Sequence, residues 1–206
     1  ASFLTPPLWT DWSYKAKITF SWYTNGLNQI LTNFPALVLL STNVSGFDYG
    51  QLQSLGAFDL RFSDSNAMTQ LNYEVEKITT GATSHIWVQV PSIAASSDYI
   101  WCYWGNAAAT TQKTYCTNGS VWGSSYEGVW HLCSSNAALQ FPDSTTNANN
   151  AVNTATTVTT GMIALARGFS GGAQYLDCGT AASLDWNQTN RTITAWIKPT
   201  SLTDYA

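Results

Sequence analysis

The sequence predicts an all-β fold, with an antiparallel β-sandwich over its first half. Three observations carry this. Four segments within residues 58–106 alternate apolar and polar residues with period two, the pattern of strands with one buried face. Runs of turn-forming residues close each of them: Ser63-Asp64-Ser65-Asn66, Thr79-Thr80-Gly81 and residues 91–98. No helical period separates them, so neighbouring strands are expected to pair antiparallel rather than through crossover helices.

In chain order, residues 1–10 read as an arm, because Pro6-Pro7 excludes regular structure there. Residues 14–20 alternate and form the first strand. Asn25-Gly26 is a hairpin-turn pair. Residues 30–40 form a second strand, apolar enough for a central position. Residues 43–55 are a loop, with one helical turn over 49–55. The four alternating segments follow. Phe58, Leu60 and Phe62 face inward, opposite Asp59 and Arg61. Leu71, Tyr73 and Val75 oppose Asn72, Glu74 and Glu76. Ile86, Val88 and Val90 oppose His85, Trp87 and Gln89. Ile100, Cys102 and Trp104 oppose Trp101 and Tyr103. Residues 11–106 therefore make the sandwich. From 107 to 127 the composition turns to Ala, Thr, Asn, Gly and Ser, which reads as a linker, with Tyr115, Cys116, Val121, Trp122 and Tyr126 as anchors.

An ordered set of short motifs spans this first half: Tyr14-Lys15-Ala16-Lys17-Ile18-Thr19, Asn33-Phe34-Pro35-Ala36-Leu37-Val38, Asp59-Leu60-Arg61-Phe62-Ser63-Asp64, Tyr73-Glu74-Val75-Glu76, Ile86-Trp87-Val88-Gln89-Val90-Pro91-Ser92-Ile93 and Tyr103-Trp104-Gly105-Asn106. The set resembles a bacterial and archaeal domain family of unknown function whose members are secreted or surface proteins. The resemblance implies a fold and a setting, and no catalytic residues.

Beyond residue 128 a second pattern begins with Gly128-Val129-Trp130-His131-Leu132. It continues through Phe141-Pro142-Asp143-Ser144, a polar tract to Thr160, and Tyr175-Leu176-Asp177-Cys178-Gly179. It ends with the alternating run Arg191-Thr192-Ile193-Thr194-Ala195-Trp196-Ile197-Lys198-Pro199. This resembles the first half of a laminin-G-like, concanavalin A-like jelly roll. Such a roll needs roughly 150 residues, more than residues 128–206 supply, so the domain is expected to be incomplete. Either the sequence is a fragment, or a strand from another copy completes the sheet, as in assemblies built by strand donation.

Composition bounds the function. Charged residues are 10% of the chain, against about 25% in an average soluble protein, so Ser, Thr, Asn and Gln must carry solubility. The net charge of −4 argues against a nucleic-acid partner, which needs a basic stripe. The longest apolar run, residues 34–40, contains a proline and is too short to span a bilayer. A start at Ala1 fits a processed secretory product or a trimmed chain. Cys102, Cys116, Cys133 and Cys178 lack metal spacing. In an oxidising compartment they predict two disulfides, and Cys102–Cys116 with Cys133–Cys178 keeps each bridge inside one module. Three pairings are open, and buried free thiols are the competing reading. Asn43, Asn118, Asn187 and Asn190 are N-glycosylation acceptors.

Four groups bear on chemistry. Glu74 and Glu76 share a strand face roughly 6.6–6.8 Å apart along the chain, within the spacing of a glycosidase acid pair. Jelly-roll glucanases, however, carry a third acid where Thr79 stands, and a solvated face flanked by Lys77 is the plainer reading. His85 and His131 have no recognisable nucleophile and read as structural. Asp143, Asn147 and Asn149 offer oxygen ligands of the kind calcium takes, although Asp143 is the only acid in its tract. Trp87, Trp101 and Tyr103 alternate away from the core and are candidates for stacking sugar rings, unless a second layer covers them. The expectation is a secreted, non-enzymatic protein that binds surface glycans or other copies of itself. The alternatives are a subunit of an extracellular filament, and a glycoside hydrolase acting through Glu74 and Glu76. Calcium is the only cofactor the sequence suggests.

Overall fold

A computed structural model describes residues 9–24, 26, 29–54, 56–133, 140–185 and 190–200. The fold is all-β, built from antiparallel sheets. β1 (Tyr14–Thr19), β6 (Tyr99–Trp104) and β3 (Arg61–Ser63) form one sheet in the order β1-β6-β3. β2 (Leu31–Leu40), β5 (Ser84–Ile93) and β4 (Tyr73–Lys77) form a second in the order β2-β5-β4. The inward rows of the two sheets make one core. Ile86, Val88 and Val90 meet Ile100, Cys102 and Trp104 there, all at most 2% exposed. This is the phase that the alternation dictates. The expected helical turn is a single 3₁₀ turn, Tyr49–Gln51, capped by the Asp48 side chain.

The edges are not where apolarity alone puts them. β2 was expected to be central, yet it pairs only with β5 and lies at the sheet edge. Pro35 is the reason: it has no N–H to give to a second neighbour. β5 is the central strand and carries Pro91 at a break in the ladder. The register runs Thr32↔Ser92 and then Phe34↔Val90, skipping Asn33 and Pro91. Asn33 takes the left-handed conformation there, with φ 49°.

The segment Asp59–Ser63 corrects the simple alternation. Asp59 and Arg61 were expected to face solvent, but they are 0% and 2% exposed. The chain before β1 covers them. Trp12 donates its indole N–H to the Asp59 carbonyl at 2.9 Å and lies 5.4 Å from the Arg61 guanidinium. Arg61 donates to the carbonyls of Phe58 (2.7 Å) and Leu60 (2.5 Å) and to the Tyr73 hydroxyl (3.3 Å). Asp59 Oδ2 accepts from the amides of Gln53 and Gly105. Gly105 holds φ +85°, and a Cβ there would lie 2.5 Å from the Tyr14 ring. The Asp59 and Gly105 motifs, far apart in sequence, are thus one joint.

The second half forms two small antiparallel sheets. β7 (Gln140–Phe141), β8 (Ala151–Thr154) and β11 (Tyr175–Asp177) pair in the order β11-β8-β7, and β9 (Thr157–Thr160) pairs with β10 (Leu165–Gly168). The polar tract up to Thr160 holds β8 and β9. Thr and Val favour strands, and the alternation is short enough to be lost among the asparagines. The strand expected over 191–199 does not form: the stretch pairs in no described sheet, and Ile193, Trp196 and Ile197 are 73%, 93% and 83% exposed. Residues 128–132 likewise form no strand and are held by single contacts such as Ser144 N–H to the Val129 carbonyl. Among the described residues no helix is long and apolar enough to cross a membrane.

Neither expected disulfide is present: all four thiols are free. Cys102 points into the core from the middle of β6, flanked by Ala16 and Phe62 on the neighbouring strands. Cys116 approaches the other sheet, with its thiol in hydrogen-bond contact with the Tyr73 hydroxyl. Burial pushes both thiols' pKa up, so they remain protonated. Cys133 and Cys178 are half-buried.

Candidate functional site

The residues expected to link two modules instead pack on the outer face of the second sheet. Val121 and Trp122 are 1% and 7% exposed. Asn72 donates to the Ser120 carbonyl at 3.3 Å, and Trp122 donates its indole N–H to Glu74 Oε2 at 2.7 Å. The chain then brings His131 over β4.

His131 sits between the two glutamates. Its Nε2 lies 3.3 Å from Glu74 Oε1 and its Nδ1 lies 3.4 Å from Glu76 Oε2. Nε2 is buried and makes no aligned hydrogen bond, so the Glu74 contact is a charge contact. Ser144 Oγ also donates to Glu74 Oε1 at 2.7 Å, and Trp87 Nε1 donates to Glu76 Oε2 at 2.6 Å. Burial pulls the imidazole pKa down, but the two carboxylates outweigh it and lift it to about 9. Burial also works to raise both carboxyls. His131, with Ser144 and Trp122 on Glu74 and with Trp87 on Glu76, holds them below the usual carboxylate range. At neutral pH the group is a buried imidazolium clamped by two ionised carboxylates.

The solvated-face reading does not describe this cluster, because the Glu74 and Glu76 side chains are 20% and 6% exposed. A glycosidase acid must keep its proton near neutrality, so its pKa must be raised. Here both carboxyls shift the other way, and the one base nearby already carries its proton. Cys133 adds no nucleophile, because burial and then the two glutamates raise its thiol pKa. The geometry makes an electrostatic joint between β4 and the chain after residue 128.

The three stacking candidates separate. Trp87 is covered: its ring lies 5.2 Å from Trp122 and 6.2 Å from His131. Tyr103 is 3% exposed, because Trp9 stacks on it at 4.5 Å with an 11° angle between the rings. Tyr103 is therefore buried and Trp87 half-buried, each beneath the second layer that was the alternative to an open platform. Trp101 is half-buried on the outer face of β6. It packs edge-on against Tyr99 at 5.6 Å, and its indole N–H donates to the Ser65 carbonyl. From β1, Lys15 places its ammonium 4.6 Å above the Trp101 ring, and Lys17 lies 3.9 Å from the Tyr99 ring. Strand alternation puts both lysines on this face, since Ala16 between them points inward.

Asp143 has another task than a cation. Its carboxylate accepts from the amides of Val129, Thr145 and Asn149 and from the Thr145 hydroxyl, at 2.8–2.9 Å. Asn149 donates to the Glu127 carbonyl and Ser183, and Asn147 donates to the carbonyls of Tyr126 and Glu127. In the expected calcium tract both Asp143 carboxylate oxygens already have donors. Among the described residues no group of three His, Cys, Asp or Glu has metal-binding geometry. Asn43, Asn118 and Asn190 are exposed, as glycan acceptors must be, and Asn187 lies outside the described residues.

A cleft that the alternation does not foreshadow lies between β2 and the chain at 123–126. Thr32, Asn33, Phe34, Pro35, Gln89, Gly123, Ser124, Ser125 and Tyr126 enclose about 310 Å³. The legible signals were Pro91, which marks the ladder break beside it, and the Gly-Ser-Ser turn of its far wall.

Residues 57–125 match a family described as a Domain of unknown function (DUF2341), about a third of the chain. The match runs through β3 to β6 and on through Trp122, so it includes the segment that covers β4 and β5. No curated protein and no solved structure matches the chain.

Proposed function

We propose that this chain is a non-catalytic extracellular binding module that recognises carbohydrate at a surface. The observation that carries the reading is the half-buried Trp101–Tyr99 pair on the outer face of β6, with Lys15 and Lys17 resting on its rings. An indole face offers a flat apolar surface to the C–H side of a pyranose, and two ammonium groups beside it favour a sugar carrying carboxylate or sulfate. Neither lysine has an ion-pair partner among the described residues, so both are available to a ligand. The second half, read as the start of a jelly roll, suits the same task, although fold by itself does not decide function. The clamped state of Glu74 and Glu76 supports a role without hydrolysis.

Affinity electrophoresis through gels containing alginate, chondroitin sulfate or dextran tests this. Retardation by an acidic polysaccharide is expected, with loss of it in Trp101→Ala and in Lys15→Ala/Lys17→Ala. Equal mobility in all three gels, or retardation unchanged in those variants, would end the reading.

A second reading, a subunit of a surface assembly, is favoured by one observation. Residues 192–200 are exposed, and Ile193, Ala195 and Ile197 alternate as in a strand without a ladder partner among the described residues. Concentration-dependent growth in light scattering, abolished by Ile193→Lys/Ile197→Lys, is the outcome that would favour it.

A further inference from the structure

We propose that the cleft between β2 and residues 123–126 binds a single neutral pyranose, as a site separate from the Trp101 face. The inference rests on the carbohydrate-binding reading and adds to it a second location and a ligand class.

The cleft's size is the first argument. A volume of about 310 Å³ is at the low end for small-molecule sites and suits one ring rather than a chain. Its chemistry is the second. The wall carries the amides of Asn33 and Gln89, the hydroxyls of Thr32, Ser124, Ser125 and Tyr126, and no carboxylate, ammonium or guanidinium. Burial raises the Tyr126 phenol further from ionisation, so the lining is neutral at any ordinary pH. Amides and hydroxyls each donate and accept, as sugar hydroxyls do. A cation or anion would find no countercharge.

The third argument is strain. Asn33 holds φ 49° inside a ten-residue strand, where other residues of β2 keep the ladder. Pro91 opposite accounts for the broken ladder. It does not account for a polar side chain held in a left-handed conformation at the wall of the cleft. Non-glycine residues kept in that region concentrate at binding sites, because only the surrounding structure maintains them.

The last argument is orientation. Gln89 Oε1 accepts from Asn72 Nδ2 at 3.4 Å, and Asn72 is itself tied to the Ser120 carbonyl. That contact fixes which way the Gln89 amide faces and leaves its N–H donors for a ligand. On the apolar side, Phe34 lines the cleft and carries Trp22 at 6.1 Å. Pro35 adds a second apolar wall beside Phe34.

Saturation-transfer NMR on the whole chain, with the methyl glycosides of glucose, galactose, mannose and N-acetylglucosamine, tests the proposal. At least one should receive transfer, with millimolar affinity. Gln89→Ala and Tyr126→Ala should each weaken it at least tenfold, while Trp101→Ala leaves it unchanged. Asn33→Gly guards against misfolding, since glycine keeps the left-handed backbone and removes only the amide; it too should weaken binding. No transfer to any of the four glycosides overturns the cleft, and so does binding that survives Gln89→Ala and Asn33→Gly. Loss of binding in Trp101→Ala with none in Gln89→Ala also overturns it, and leaves the Trp101 reading standing. Retention on acidic polysaccharide is scored separately, so failure of one site is distinguishable from failure of the other.

Discussion

The Nε2 atom of His131 lies 3.3 Å from Oε1 of Glu74, and this contact joins two parts of the chain that the sequence separates by two strands, β5 and β6, and a long irregular segment. Glu76 closes the other side of the imidazole at 3.4 Å. Removing the cation leaves two carboxylates facing each other with only Ser144, Trp122 and Trp87 as donors. Truncating one member of such a buried set costs about 3–5 kcal/mol. His131→Ala should fall near about 3 kcal/mol, at the low end of that range because the Glu74 side chain keeps 20% of its exposure. Urea unfolding measures it, and a loss under about 1 kcal/mol would contradict the clamp.

The same contact sets a pH dependence. His131 has a folded pKa of about 9 against an ordinary 6.5. A raised basic group stabilises fully below its unfolded pKa and loses that contribution as pH rises through the folded one. Glu74 and Glu76 are lowered, so their contribution is present above the ordinary carboxylate range and disappears as pH falls through their depressed values. The melting temperature should therefore be highest between about pH 5 and 6.5 and decline toward pH 9 and above. His131→Gln should flatten the alkaline limb. An equal alkaline decline in the variant would assign it to other groups.

Arg61 is a second buried cation with a different partner set. Three acceptors and the Trp12 ring surround it. Arg61→Ala leaves the Phe58 carbonyl without its donor, while Leu60 keeps the Tyr73 hydroxyl, and opens a cavity, so about 3 kcal/mol of stability should be lost. Arg61→Lys should recover little of it, because one ammonium cannot replace a planar fork that both donates and stacks. Chemical denaturation of the pair checks the prediction, and near-complete rescue by lysine would refute the stacking argument.

Asp143 organises residues 129–149 through four accepted hydrogen bonds. Asp143→Ala should accelerate amide exchange at Val129, Thr145 and Asn149 by orders of magnitude and destabilise by about 2–3 kcal/mol, as loss of a charged acceptor does. Millimolar calcium should leave the wild-type melting temperature unchanged. A calcium-dependent rise lost in Asp143→Ala would restore the cation reading.

The thiols make a further test. Cys102 is buried on β6 and Cys116 is buried in the 3₁₀ turn Thr114–Cys116. Alkylation without reductant should spare both in the native protein and modify both in denaturant. Failure of either to react after unfolding would mean that a bridge forms.

Much of this was legible locally. The alternation around Ile86 and Ile100 assigns their inward phase, and the Asn/Pro/Gly runs mark the turns. Alternation says which face is apolar; it does not say what lies over the polar face. For that reason Arg61, Trp87 and Tyr103 were expected outside and were found under Trp12, Trp122 and Trp9. Glu74 and Glu76 were legible as a pair on one face, but the imidazole between them was not, because nothing near residue 131 points to residue 74.

What the sequence determined by itself is the local conformation: extended segments, their turns and the row of side chains each turns inward. These follow from sterics and solvation within a few residues. Only the tertiary structure decided which remote segment covers each outer face, and so which aromatic rings stay open to a ligand and which charges are clamped. That choice depends on the shapes and donors of surfaces distant in the chain, and no local period records it.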